Sequence, residues 1–271
     1  MVKIKSAAKL NLMLNIVGKI NNMHLIDGVF VPFNLYDIIF AEKRSDKKIT
    51  VSYSQKDLRF ENDTAIKAAE MITKRYDLGG VDIFIEKNIP QKSGMGGSST
   101  DAAGVARAIE QLYGLPKIDN DLLLEVGSDV PYMYKGGDCR VRGIGEKVQS
   151  INLPKIYKVV LLPSKGVDTG KCYHLYDQIG GENGEIEKFI DNPFENKVKL
   201  SNALERAACK LNKDIVSALE ALDTVGFLYG MSGSGSACFG IEYDLAEFEK
   251  KLAKLIELSA GRFVALQEEK E

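Results

Sequence analysis

Between Lys9 and Val17 the chain alternates. Leu10, Leu12, Leu14 and Ile16 fall on one side, and Lys9, Asn11, Met13 and Asn15 on the other. Successive side chains of a strand point to opposite faces, so this period of two predicts a strand with one apolar and one largely polar face. "DIIFAEK" and "KITVSYS" are further strand candidates, predicted to pair as a hairpin across "RSDK". The period then lengthens. In "ENDTAIKAAEMITKRYDL" the apolar positions are Ala65, Ala68, Ala69 and Ile72, the spacing of a helix face, with Asn62 or Asp63 placed to cap it. "VDIFIEKN" alternates again, with Val81, Ile83 and Ile85 together.

Helices are predicted over 98–113 and 120–126, and "GDCRVRGIGEKVQSI" reads as strand, turn and strand. The pattern resets around 152–155, and "YKVVLLPS" opens a new buried strand. This places a boundary near residue 150, with units at 1–150 and 151–271. The second unit is predicted to hold helices at about 196–211 and 212–224, strands on either side of "GMSGSGSACFGI", a charged helix at about 244–258 and a closing strand in "RFVALQ". That order is an α+β layout with helices on one side of an antiparallel sheet.

At 271 residues and 45% hydrophobic content, there is material for two cores. A net charge of −2 and a pI of about 5.9 leave no basic face for a nucleic-acid partner. The four cysteines are far apart with no C-x-x-C pair, so they read as reduced, mostly buried thiols rather than a zinc or redox site. No apolar run reaches membrane-spanning length, and the opening residues are broken by charge every few positions. The expectation is a cytoplasmic protein with no membrane partner. The sequence carries no sign of an oligomeric state.

Candidate chemistry begins at "IPQKSGMGGSSTDAAG", which has glycines at 94, 96, 97 and 104 between a strand and a helix. The first amides of a helix lack partners, the helix dipole adds positive charge there, and glycine lets backbone approach an anion closely. Ser98, Ser99 and Thr100 are placed to cap the helix or to donate to phosphate oxygens. No lysine follows Gly97, so this is not a Walker A loop. Ser99 stands where a dinucleotide fingerprint needs glycine. Taken alone, the cluster is equally a flexible helix entry with ordinary capping.

Three motifs in order change that balance. "PQKSGMGGSSTDAA" resembles the Pro-x-x-x-Gly-Leu-Gly-Ser-Ser loop of the GHMP kinases, with Met95 in the leucine position. "AKLNLMLNI" and "GSDVPYMYKGGDCRVRGIGE" resemble the opening and second motifs of the branch of that family whose acceptor carries a cytidine diphosphate. "MSGSGSACFG" resembles its third. The resemblance implies a ribosomal-protein-S5-domain-2-like N-terminal unit and a ferredoxin-like C-terminal one. It implies ATP and Mg2+, and a small-molecule alcohol acceptor phosphorylated at a 2-hydroxyl, in isoprenoid precursor synthesis.

By position, Asp129 matches the family's catalytic aspartate and Lys9 the lysine beside it. Asn11 shares the strand face with Lys9. Pro90, Lys92, Gly94, Met95, Gly96, Gly97, Ser98, Ser99 and Thr100 match the ATP loop. Asn62 or Asp63 matches an adenine-side position, and Ser98 is a magnesium contact candidate. "VDTGKCYHLYD" resembles the family's threonine segment, which implies Thr169 near the reacting hydroxyl and Tyr173 as an aromatic wall for the base. The branch usually carries Gly-Tyr-His after its opening strand. Here His24 is kept as a reader of the base, while Asn22 and Met23 replace the other two. Two other readings compete: a different acceptor in the same family, such as homoserine or mevalonate, and a nucleotide-binding homologue without catalysis.

Overall fold

The computed structural model describes residues 1–55, 63–193, 199–259 and 264–267. Strand β1 (Val2–Ile20) pairs antiparallel with β2 (Met23–Lys43) along almost its whole length. The turn between them uses Asn21 and Asn22, both at positive φ, a conformation asparagine tolerates better than most residues. The alternation that predicted β1 hides a division. The register shifts between Asn11 and Met13, and a bulge of this kind turns the following side chains over. Leu10 and Leu12 therefore pack in one core cluster with Phe33 and Phe239, whereas Leu14 and Ile16 pack in another with Phe30 and Ile39. The four do not share a face. Nor is the polar side exposed: Lys9 is only 4% and Asn11 1% accessible.

The hairpin expected across "RSDK" does not form. Strand β4 (Val81–Glu86) lies between β2 and β3 (Ile49–Tyr53), antiparallel to the first and parallel to the second. The connection is instead spent on the entry to β4. Arg44 N–H donates to the Gly80 carbonyl, Gly80 N–H to Asp46 and Val81 N–H to Lys48. A Cβ at Gly80 would lie 2.2 Å from the Lys48 carbonyl oxygen, so only glycine admits this approach.

Strands β5 (Cys139–Gly143) and β6 (Lys147–Ser150) complete the first sheet, in the order β3-β4-β2-β5-β6 with β1 also on β2. Helices α1 (Thr64–Arg75) and α2 (Gly97–Tyr113) bury their alanine-rich faces against it. Helices α3 (Asn120–Val126) and α4 (Val130–Lys135) follow.

The second sheet is antiparallel throughout, in the order β10-β7-β9-β8: β7 (Tyr157–Leu162), β8 (Leu228–Met231), β9 (Cys238–Glu242) and β10 (Val264–Gln267). Its helices are α5 (Thr169–Ile179), α6 (Ile186–Asp191), α7 (Glu205–Leu211), α8 (Asp214–Val225) and α9 (Leu245–Ser259). The α+β class is as expected.

The helix predicted from 196 begins only at Glu205. Residues 201–203 run along β1 instead, exchanging backbone hydrogen bonds with Leu14, and 196–198 lie outside the described residues. Helices α4, α5 and α6 were not foreseen, their apolar positions being too few to declare a period. Cys139, Cys172 and Cys238 are buried, Cys209 is partly so, and all four are free. Among the described residues no helix is long and apolar enough to cross a membrane.

Candidate active site

Both glycine segments meet at β1. The first leaves β4 through a buried ionic knot: Lys87 pairs with Asp37 and, at 2.7 Å, with Asp101, while Asp37 accepts from the amides of Asn88 (2.6 Å) and Ile89 (2.9 Å). This fixes the start of the loop. Lys92, Gly94 and Gly96 then take positive φ, and Gly96 caps α2. The second half of the chain clasps the loop from the other side. Val167 N–H donates to the Lys92 carbonyl (3.0 Å), Ala237 N–H to that of Ser93 (2.8 Å), and the Ser232 hydroxyl to that of Gly94 (2.9 Å). A Cβ at Gly94 would stand 2.1 Å from the Ser232 carbonyl oxygen.

The clasp leaves the first turn of α2 facing a cleft of about 630 Å³. Pro90, Lys92, Gly94, Gly96, Gly97, Ser98 and Ser99 line it, as do Lys9, Asn11, His24, Asp129, Thr169 and Tyr173. Unpaired amides and the helix dipole at that turn favour an anion.

Lys9 holds the centre. Its backbone N–H donates to the Met95 carbonyl (3.0 Å), and its ammonium bonds Asn11 Oδ1, lies over the Phe30 ring at 5.3 Å and faces Asp129 Oδ2 at 3.6 Å. Burial pulls the Lys9 ammonium below its ordinary pKa, and Asp129 opposes that fall. Asp129 sits at the N-cap of α4, yet its side chain makes no capping bond. The carboxylate is therefore not committed to the helix and is left to the cleft.

Asn11 keeps a buried amide nitrogen without a partner, and its backbone N–H donates to Ser232 Oγ (3.2 Å). Gly233 packs so closely that a Cβ there would lie 3.2 Å from the Lys9 ammonium. Asn202 secures this second segment, donating to the carbonyls of Met231 (2.7 Å) and Gly233 (2.8 Å). The hydroxyls of Thr169 and Ser234 are hydrogen-bonded at 2.9 Å.

A further group forms around His24. Its ring stacks on Tyr173 with centroids 4.7 Å apart, meets the edge of Tyr176 at 5.9 Å and bonds Asp177 Oδ1 through Nε2 at 2.6 Å. Met23 lies beside it on the cleft wall.

Other expected residues are placed elsewhere. Met95 is fully buried and offers only its backbone. Thr100 is buried too, its hydroxyl donating to the Ala7 carbonyl (3.1 Å). Asp63 caps α1, accepting from Ala65 and Ile66 amides and from the Tyr53 hydroxyl. Asn62 lies outside the described residues. Sequence reasoning passed over Lys87, Asp37, Asp101 and Asp177. For Asp177 the signal was present, since Tyr173, Tyr176 and Asp177 are at i, i+3 and i+4 and share one helix face. For the knot it was absent, because its members come from three separated segments.

A buried lysine facing an uncommitted aspartate beside a glycine-bounded helix N-terminus is the equipment of a phosphoryl-transfer enzyme. Residues 63–137 match the GHMP kinases N terminal domain. The chain is 33% identical over 258 residues to the 4-diphosphocytidyl-2-C-methyl-D-erythritol kinase of Clostridium beijerinckii, covering 90% of this chain and 92% of that one. It is 33% identical to the same kinase of Caldicellulosiruptor saccharolyticus, with 93% of each chain covered. A crystal structure of 4-(cytidine 5'-diphospho)-2C-methyl-D-erythritol kinase superposes with a TM-score of 0.79 at 29% identity, over 97% of this chain and 98% of that one. Homoserine kinase from Cytophaga hutchinsonii, at 18% identity and a TM-score of 0.72 over 98% and 92% of the two chains, shares the fold. The chain belongs to the 4-diphosphocytidyl-2-C-methyl-D-erythritol kinase family of GHMP kinases. It is a small-molecule kinase, with ATP as its phosphoryl donor.

Proposed function

We propose that this kinase transfers the γ-phosphoryl group of ATP to the 2-hydroxyl of 4-diphosphocytidyl-2-C-methyl-D-erythritol, in non-mevalonate isoprenoid precursor synthesis. The observation that carries the reading is the Lys9–Asp129 pair, set 3.6 Å apart in the cleft beside the α2 N-terminus. The names of the relatives supply the acceptor.

In this reading the ATP phosphates lie against Gly94, Gly96, Gly97, Ser98 and Ser99, with Pro90 and Lys92 at the loop entry. Asp129 accepts the proton of the substrate hydroxyl as that oxygen attacks phosphorus. Lys9 pairs with Asp129 and balances charge that develops between acceptor and phosphate. Asn11 and Thr169 orient the acceptor, and the unpartnered amide nitrogen of Asn11 supports a ligand contact there. His24 and Tyr173 receive the cytosine ring.

Magnesium fits this cleft. It needs one or two protein oxygens when phosphates supply most of its shell. Among the described residues no cluster of three His, Cys, Asp or Glu side chains offers a dedicated cage, and Ser98 lines the cleft next to Gly97. Ser98 would hold the ion, which when bound neutralises triphosphate charge.

We also divide the chain at 1–150 and 151–271, a reading supported by the change of sheet between β6 and β7. The four free thiols support a reducing, cytoplasmic setting.

The test is ATP-dependent phosphorylation across four acceptors: the cytidylyl substrate, uncapped methylerythritol phosphate, mevalonate and homoserine. Turnover of the first alone is expected. Turnover of another in its place would discard the cytidine reading, and silence with ATP still bound would discard the kinase chemistry.

A further inference from the structure

The residues around His24 form a closed arrangement that the transfer chemistry does not use. Asp177 stands on α5, one turn beyond Tyr173, and both of its oxygens are committed. Oδ1 meets His24 Nε2 at 2.6 Å, and Oδ2 accepts from the Lys19 ammonium at 2.7 Å. The Asp177 carboxyl is held below the usual carboxylate range, first by Lys19 and then by His24. It is therefore an acceptor only.

A carboxylate facing Nε2 requires the proton on that nitrogen. In the neutral ring the lone pair is then on Nδ1. One ring face is covered by Tyr173, and Tyr176 stands nearly perpendicular to the ring beside it. The side chain is only 12% accessible, and the residue lines the cleft. Ring plane and bonded nitrogen are set before any ligand arrives, and in the neutral ring Nδ1 is the nitrogen left to accept.

The two pyrimidines differ at this kind of contact. Cytosine carries an exocyclic amino group, a donor, where uracil carries a carbonyl oxygen, an acceptor. A fixed lone pair accepts from the first and repels the second. We propose that Asp177, braced by Lys19, is a positioning residue that holds His24 with Nδ1 as an acceptor and so makes the site select cytidylyl over uridylyl acceptors. The inference rests on the substrate reading above and adds to it the source of base selectivity. It also accounts for a site that discriminates without an aromatic at Met23: a thioether packs on either base alike, so selection falls to the hydrogen bond.

The experiment compares kcat/KM for the cytidylyl substrate and its uridylyl analogue in the wild type, Asp177→Ala and Asp177→Glu. Nitrogen NMR of the imidazoles accompanies it; the chain has only two histidines. In Asp177→Ala the preference for the cytidylyl substrate falls roughly tenfold or more, the size of one lost base-edge contact. The KM for ATP stays within about twofold, and the His24 signals move from a single tautomer to a mixture. Asp177→Glu recovers part of the preference. An unchanged preference in Asp177→Ala, with the wild type active on the cytidylyl substrate, overturns the role of Asp177 and leaves the kinase assignment standing. A wild type that does not phosphorylate the cytidylyl substrate overturns the substrate reading, and this role with it.

Discussion

Replacing Asp129 by Asn keeps the shape of the side chain and removes its charge. Because the carboxylate makes no capping bond to α4, the exchange leaves the helix cap intact; what it removes is the partner of the buried Lys9 ammonium, so a loss of about 1–3 kcal/mol in stability is expected. Its effect on chemistry has two parts. A positioned general base is worth about 10²–10⁴ in rate, or roughly 3–5 kcal/mol of barrier. The second part concerns Lys9. Two unit charges 3.6 Å apart attract by about 4–5 kcal/mol at an effective dielectric of ~20, and less here because the Asp129 side chain is 31% accessible. That attraction opposes burial, which pulls the Lys9 pKa down. Without it the pKa falls further, and the ammonium is lost at a lower pH. The Asn variant should therefore show kcat reduced about 10²–10⁴-fold, ATP affinity within a few fold, and residual activity that declines with rising pH earlier than in the wild type. Steady-state kinetics from pH 6 to 9, with nucleotide titration and a melting curve, measure all three. A kcat within fivefold of wild type would refute the assignment. A loss confined to ATP binding would move Asp129 out of the proton transfer.

Three further outcomes are expected. Gly94→Ala places a methyl 2.1 Å from the Ser232 carbonyl oxygen at a φ of +76°, so the two glycine segments must part; kcat/KM for ATP should drop at least about tenfold with a stability loss of roughly 1–3 kcal/mol, read by kinetics and urea unfolding. Asn202→Ala leaves the carbonyls of Met231 and Gly233 and the Leu204 N–H without their buried partner, and should cost about 2–4 kcal/mol in urea unfolding together with a rise in acceptor KM. Burial pushes the Asp101 carboxyl up from the ordinary carboxylate range, against the pull of Lys87; the folded state then holds a proton the unfolded state has released, so stability falls as pH rises above the ordinary carboxylate range towards neutrality. Asp101→Asn should flatten that slope in melting curves recorded across the range, and an unchanged slope would assign it to other groups.

The parts of this molecule legible in the sequence are those written locally. Helix α1 declared itself because Ala65, Ala68, Ala69 and Ile72 are all fully buried on one face, and its cap because Asp63 immediately precedes it. The glycine loop was readable because strand, glycines and helix are contiguous. Long-range relations were not. Nothing in "RSDK" says that β4 will insert between β2 and β3, since that depends on Gly80, more than thirty residues later. The bulge at Asn11–Met13 is likewise invisible in an unbroken alternation. Alternation places Lys9 and Asn11 on the polar face of β1 but not in the core; their burial is set by Phe30 and by the 231–237 segment arriving from the far end of the chain. Met95 and Thr100 belong to the ATP loop by the motif's spelling; in the structure both side chains are buried, Met95 just ahead of α2 and Thr100 in its first turn.

The clasp between the two glycine segments gives this enzyme a form of internal accounting that neither half possesses alone. Lys92, Ser93 and Gly94 are held by hydrogen bonds from Val167, Ala237 and Ser232, so the loop proposed to meet the nucleotide is secured by both halves of the chain. A ligand that displaces residues 232–237 alters the free energy of the nucleotide site. Reciprocity then requires the nucleotide to alter the free energy of that ligand's binding by the same factor. On the proposed placement of ATP, donor and acceptor sites are therefore expected to be coupled through these hydrogen bonds between distant segments of the chain.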